Sequence, residues 1–106
     1  MSLSIRRDER IEQLIPEGEA EIYDFSKGGA GLFLDRQLNS GEIYPLHVTV
    51  GKLSLTVKAK VAHATVAGKR FRTGFQFQDV KSDAAIMLRE MSNQYSRGVG
   101  VKIEVP

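Results

Sequence analysis

From Leu53 to Ala64 the chain alternates without a break: Leu53, Leu55, Val57, Ala59, Val61 and His63 fall on one side, Ser54, Thr56, Lys58, Lys60, Ala62 and Ala64 on the other. A period of two over that length specifies a long, half-buried β-strand with its lysines in solvent. Similar segments flank it. Residues from Glu17 to Phe25 set Ala20, Ile22 and Asp24 against Glu19, Glu21, Tyr23 and Phe25, and a shorter apolar segment, Ile11 to Ile15, precedes them across Pro16-Glu17-Gly18. Proline fixes φ and glycine tolerates positive φ, so these two segments are expected to form a short hairpin. Ala30 to Leu34 and Ile43 to Val50 read as further strands separated by Asn39-Ser40-Gly41. Turns at Gly51-Lys52 and Ala67-Gly68-Lys69 bracket the long strand, and Arg70 to Phe77 places Phe71, Thr73, Phe75 and Phe77 on one side. About six strands at turn spacings of roughly 8–12 residues predict a mostly β chain, a small antiparallel barrel or sandwich.

At Ser82 the period changes. Ala84, Leu88, Met91 and Tyr95 recur at helical spacing, Ser82 is placed as the N-cap, Asp83 suits the positive end of the helix dipole, and Gly98 stops the run. One amphipathic helix is therefore expected to close the domain. Val99 to Val105 alternates again, as an added strand or a lead into further sequence.

With 106 residues the chain suffices for one modest core, and its 42% hydrophobic and 26% charged composition is that of a globular domain. Absence of cysteine excludes a disulfide framework, thiolate chemistry and sulfur-ligated zinc. No apolar run is long enough to span a bilayer, and a secretory signal is lacking. The expected setting is cytoplasmic. Met1-Ser2-Leu3 resembles an expression leader, so the chain is also readable as the cytoplasmic domain of a larger, even membrane-anchored, protein. A net charge of +2 is too small for bulk nucleic-acid binding, but Arg6, Arg7 and Arg10 cluster near the N-terminus.

Catalytic chemistry finds few candidates. His47 and His63 are the only histidines, each within a predicted strand and neither at a spacing that suggests a metal site or a triad. Glu17, Glu19 and Glu21 alternate with apolar positions as a solvated strand face does, and Ser26-Lys27-Gly28-Gly29 matches no phosphate loop of the nucleotide-hydrolase type. No enzyme, metal site or cofactor is expected.

Two polar segments stand out: Arg6 and Arg10, four residues apart within IRRDER, and Asp24-Phe25-Ser26-Lys27-Gly28-Gly29. Separately they read as a solvated charge cluster and a turn, in which Asp and Ser bond local amides and the glycines supply positive φ. In this order they resemble the PilZ family, small barrel domains that bind cyclic di-GMP. The family pattern is Arg-x-x-x-Arg, then Asp or Asn-x-Ser-x-x-Gly at the end of an early strand; Arg6, Arg10, Asp24, Ser26 and Gly29 fill its fixed positions. The likeness continues through the apolar strand after Gly29, through Gly74-Phe75-Gln76-Phe77 and into the helix, while the 11–23 gap between the motifs is short for the family.

The resemblance implies a six-stranded split barrel with a C-terminal helix, divided into a flexible segment 1–10 carrying the arginines and a barrel domain 11–106. It implies cyclic di-GMP as the ligand, bound by Arg6, Arg10, Asp24, Ser26 and Gly29, with Arg7 and Gly28 as secondary candidates. The chemistry agrees with this ligand. Guanine O6 and N7 and the phosphates match the two-pronged guanidinium, which also stacks on purines. Asp24 accepts from guanine N1–H and the exocyclic amine, Ser26 bonds a phosphate or holds the loop, and Gly29 lets backbone approach the ligand. Gly31 is expected only to relieve packing. Binding then orders the arginine segment against the barrel and is relayed to a neighbouring domain or protein partner. In this bacterial second-messenger family the outputs include motility, exopolysaccharide and biofilm control. Two other readings are a degenerate PilZ-like interaction module that binds no nucleotide and a barrel for single-stranded nucleic acid. Low charge and core-facing phenylalanines oppose the second of these.

Overall fold

The computed structural model describes residues 21–105. The expected strand 11–15, its turn at 16–18 and the arginine segment 1–10 lie outside the described residues. In chain order come β1 (Glu21–Ser26), β2 (Gly29–Leu34), β3 (Ile43–Val50), β4 (Leu53–Ala67), β5 (Arg70–Gln78), α1 (Ser82–Ser96) and β6 (Val101–Glu104). Every strand pairs antiparallel with its neighbours in the order β1-β2-β5-β4-β3-β6. The two end strands, β1 and β6, touch, so the sheet curls into a nearly closed barrel.

Alternation builds the interior. Leu32, Leu46, Val48, Val50 and Val61 are fully buried, and β5 turns Thr73, Phe75 and Phe77 inward as its pattern predicts. Helix α1 adds Leu88 and Met91, both at 0% exposure, and packs Tyr95 edge-on against Phe25 of β1 at 5.9 Å. Two-residue loops join β3 to β4 and β4 to β5, each starting with a glycine at positive φ, Gly51 (58°) and Gly68 (64°). These are the positions where a right-twisted hairpin of the type II′ class needs glycine.

The six described strands include β6, which realises one of the two readings of the 99–105 tail. Three expectations change. At the start of α1, Lys81 and not Ser82 is the N-cap: Lys81 O accepts from Ala85 N at 2.8 Å while Lys81 itself is extended, and Ser82 is already helical. At the other end the expectation holds, because Gly98 at φ 95° lets Gly98 N and Val99 N bond back to Tyr95 O and Gln94 O at 3.0 Å each. That pair of bonds is the Schellman arrangement. The remaining two changes are β-bulges, at Tyr23 in β1 and at Ala62 in β4. Each inserts an extra residue and reverses the inside-outside pattern beyond it. Ile22 and Phe25 therefore both face the core with Asp24 outside, and His63, assigned by alternation to the inner face, is exposed while Ala64 packs inward.

Candidate functional site

The β1–β2 hairpin pairs Ser26 with Gly29 across Lys27-Gly28. Ser26 Oγ accepts from Gly28 N at 3.3 Å, so the hydroxyl holds its own turn, one of the two roles expected for it. Neither Gly28, Gly29 nor Gly31 has positive φ, so these glycines are not there for backbone freedom, contrary to the turn reading of the sequence. Two of them permit close approach instead. A Cβ on Gly29 would overlap the Phe75 carbonyl oxygen of β5, and one on Gly31 would overlap the Tyr23 ring; Gly28 has open space around it. The motif glycine thus lets β2 sit tightly against β5.

Asp24 and Ser26 are exposed on the outer face of the barrel, and neither forms an ion pair or long-range hydrogen bond among the described residues. With Gly29 they line a pocket of about 180 Å³ whose other walls include Tyr23, His63 and Gly74. The floor follows the strand register: Asp24 of β1 pairs with Gly31 of β2, Gly31 with Gly74 of β5, and Gly74 with His63 of β4. The two glycines in the middle are buried, because the tips of Tyr23 and His63 lie over them where a Cβ would otherwise stand. Sequence reasoning finds Asp24, Ser26 and Gly29 but misses Tyr23, His63 and Gly74 as pocket residues. Gly74-Phe75-Gln76-Phe77 carries part of the family likeness in the sequence, but only the register puts its glycine opposite Gly31.

A stack of rings and guanidinium groups fixes one wall. Arg72 lies 4.6 Å from the Tyr23 ring centroid, the Tyr23 and Phe33 centroids are 5.1 Å apart, and Arg70 lies 4.9 Å from the Phe33 centroid. Arg70 also bonds Glu21 Oε1 through Nη2 at 2.8 Å, which anchors the far end of the stack. Cation–π contacts of this kind contribute about 0.5–1 kcal/mol each at exposed sites. They hold Tyr23 in place and put Arg72 beside the pocket.

A larger hollow of about 770 Å³ lies elsewhere, between the first part of β4, the end of β5 and the start of α1, lined by Leu55, Val57, Asp79, Val80 and Ala84 among others. None of the motif residues lines it, although Lys58, Gln78 and Lys81 do. The motif residues Asp24, Ser26 and Gly29 all line the smaller pocket instead. Arg6, Arg7 and Arg10 lie outside the described residues. Among the described residues no three His, Cys, Asp or Glu side chains group to hold a metal ion, and no helix is long and apolar enough to cross a membrane.

Comparison with known proteins gives one match: the family model described as PilZ domain aligns with residues 3–94. No curated protein and no solved structure matches the chain significantly.

Proposed function

The chain belongs to the PilZ domain family, a family of cyclic di-GMP receptor domains, and from that premise we propose that it binds cyclic di-GMP on the outer face of β1, β2, β5 and β4. The observation that carries this reading is the convergence of Asp24, Ser26 and Gly29 on one open pocket, within a family match that also spans Arg6 and Arg10. In the proposed complex Asp24 accepts from the N1–H and amino group of one guanine. Arg6 and Arg10 close over the pocket and supply paired donors to phosphate and to guanine O6 and N7. Ser26, already holding the hairpin, offers its hydroxyl proton to a phosphate oxygen. Gly29 acts through the fold, by keeping β2 close to β5 under the pocket. Arg7 and Gly28 are secondary contacts.

PilZ domains are binding modules, generally not enzymes, and the proposed output is a change of surface. Closure of the arginines over the barrel creates a face that a neighbouring domain or partner protein reads, with control of motility, exopolysaccharide or biofilm formation as the proposed process. Calorimetry of Arg6→Ala, Arg10→Ala and Asp24→Ala against the unmodified chain tests the site. Each variant is expected to lose about 2–3 kcal/mol of binding, roughly 30- to 150-fold in affinity, the scale of hydrogen bonds to charged groups. Equal affinity in all three variants overturns the assignment.

A further inference from the structure

Resting on the reading of this face as the cyclic di-GMP site, we infer that His63 is a second ligand contact borne by the barrel, a hydrogen-bond donor at the end of the pocket opposite Asp24. Asp24 and His63 close the two ends of a single register row across four strands, with Gly31 and Gly74 between them. Each end residue directly follows a bulge, Asp24 after Tyr23 and His63 after Ala62, and each bulge turns the following side chain outward. Without the bulge at Ala62, plain alternation would carry His63 into the core.

The imidazole then brings its tip over the neighbouring strand: a Cβ on Gly74 would overlap its Nε2, Cε1 and Cδ2 edge, so glycine at that position is what admits the ring. Among the described residues nothing hydrogen-bonds His63, which is exposed as a residue. His47 differs, with Nδ1 held by Thr56 Oγ1 and Nε2 by Ser54 Oγ, each at 3.0 Å. Three inter-strand steps of about 4.8 Å make the backbone row roughly 14 Å long, with the tips of Tyr23 and His63 over its two glycines. A ligand that places guanine N–H donors on Asp24 must offer an acceptor at the other end. The imidazole N–H of His63 meets a phosphate oxygen or the O6/N7 edge of the second guanine.

The two histidines allow a direct test. In a titration with cyclic di-GMP followed through the imidazole Cε1–H signals, the His63 resonance is expected to move with saturation. His47, bonded at the opposite end of β4, is expected to stay. Calorimetry on His63→Ala should show affinity lower by about tenfold with an unchanged melting temperature, and His63→Gln, which restores an N–H near the Nε2 position, should recover most of it. If the unmodified chain binds while the His63 signal stays fixed, or if His63→Ala binds as tightly as the unmodified chain, the inference fails and the receptor reading stands. Absence of binding to the unmodified chain overturns both.

Discussion

At the residue scale, two neighbouring glycines of one motif do different things. Gly29 has no room for a methyl group because the obstacle is the Phe75 backbone, which cannot swing aside as a side chain can, whereas Gly28 has nothing within 4 Å. Gly29→Ala should therefore destabilise the domain by about 1–3 kcal/mol, and Gly28→Ala should stay within about 0.5 kcal/mol. Denaturant unfolding of the two variants checks this, and equal stabilities would contradict it. A second residue-scale expectation concerns Tyr44, whose hydroxyl donates to Glu42 Oε1 at 2.6 Å. Burial first, then this bond and the carboxylate's charge, push the phenol up to about 12 from its ordinary 10.0. A raised value means that the folded state favours the protonated phenol. Its contribution to stability is whole below pH 10 and is lost as the pH climbs from 10 to about 12. Absorbance titration should show a phenolate transition near pH 12 that Tyr44→Phe removes.

At the element scale, the helix is the part most plainly written in the sequence. Ala84, Leu88, Met91 and Tyr95 give its inner face, and Gly98 ends it, while Ile86 on the opposite face is 63% exposed. Leu88→Ala should cost about 2–5 kcal/mol, whereas Ile86→Ala should fall within about 0.5 kcal/mol. Thermal or urea melts of the pair distinguish the two faces. Strands β1 to β5 are legible in the sequence, with β3 read to the residue and β6 as one of two readings of the tail, but the bulges are not. Ala62 and Ala64 are both small enough for either face, so the local pattern holds no record of where β4 gains its extra residue. Tyr23 is equally ambiguous, an aromatic at home on a core or an outer face. A bulge is decided by pairing with a distant strand, and that information lies in the register of β2 and β5, not in β1 or β4 alone. The Ser82 cap failed for a related reason: residue preference marks the neighbourhood of a helix start, while the first backbone bond fixes it one residue earlier, at Lys81.

At the scale of the whole molecule, strand order assembles a surface from segments far apart in sequence. β2 leaves its hairpin with β1 and pairs with β5, so the Asp24-to-Gly29 motif comes to lie beside Gly74 and, one strand further, His63. Motif spacing could identify the acidic half of the site because those residues are close in the chain. His63 joins that face only through the pairing of β5 with β4. The central claim is that this composite face binds cyclic di-GMP, and calorimetric titration of the unmodified chain with cyclic di-GMP, alongside GMP and cyclic GMP, tests it most directly. Saturable heat with cyclic di-GMP and none with either mononucleotide is the predicted result; no heat with cyclic di-GMP, or equal heat with all three, would contradict it.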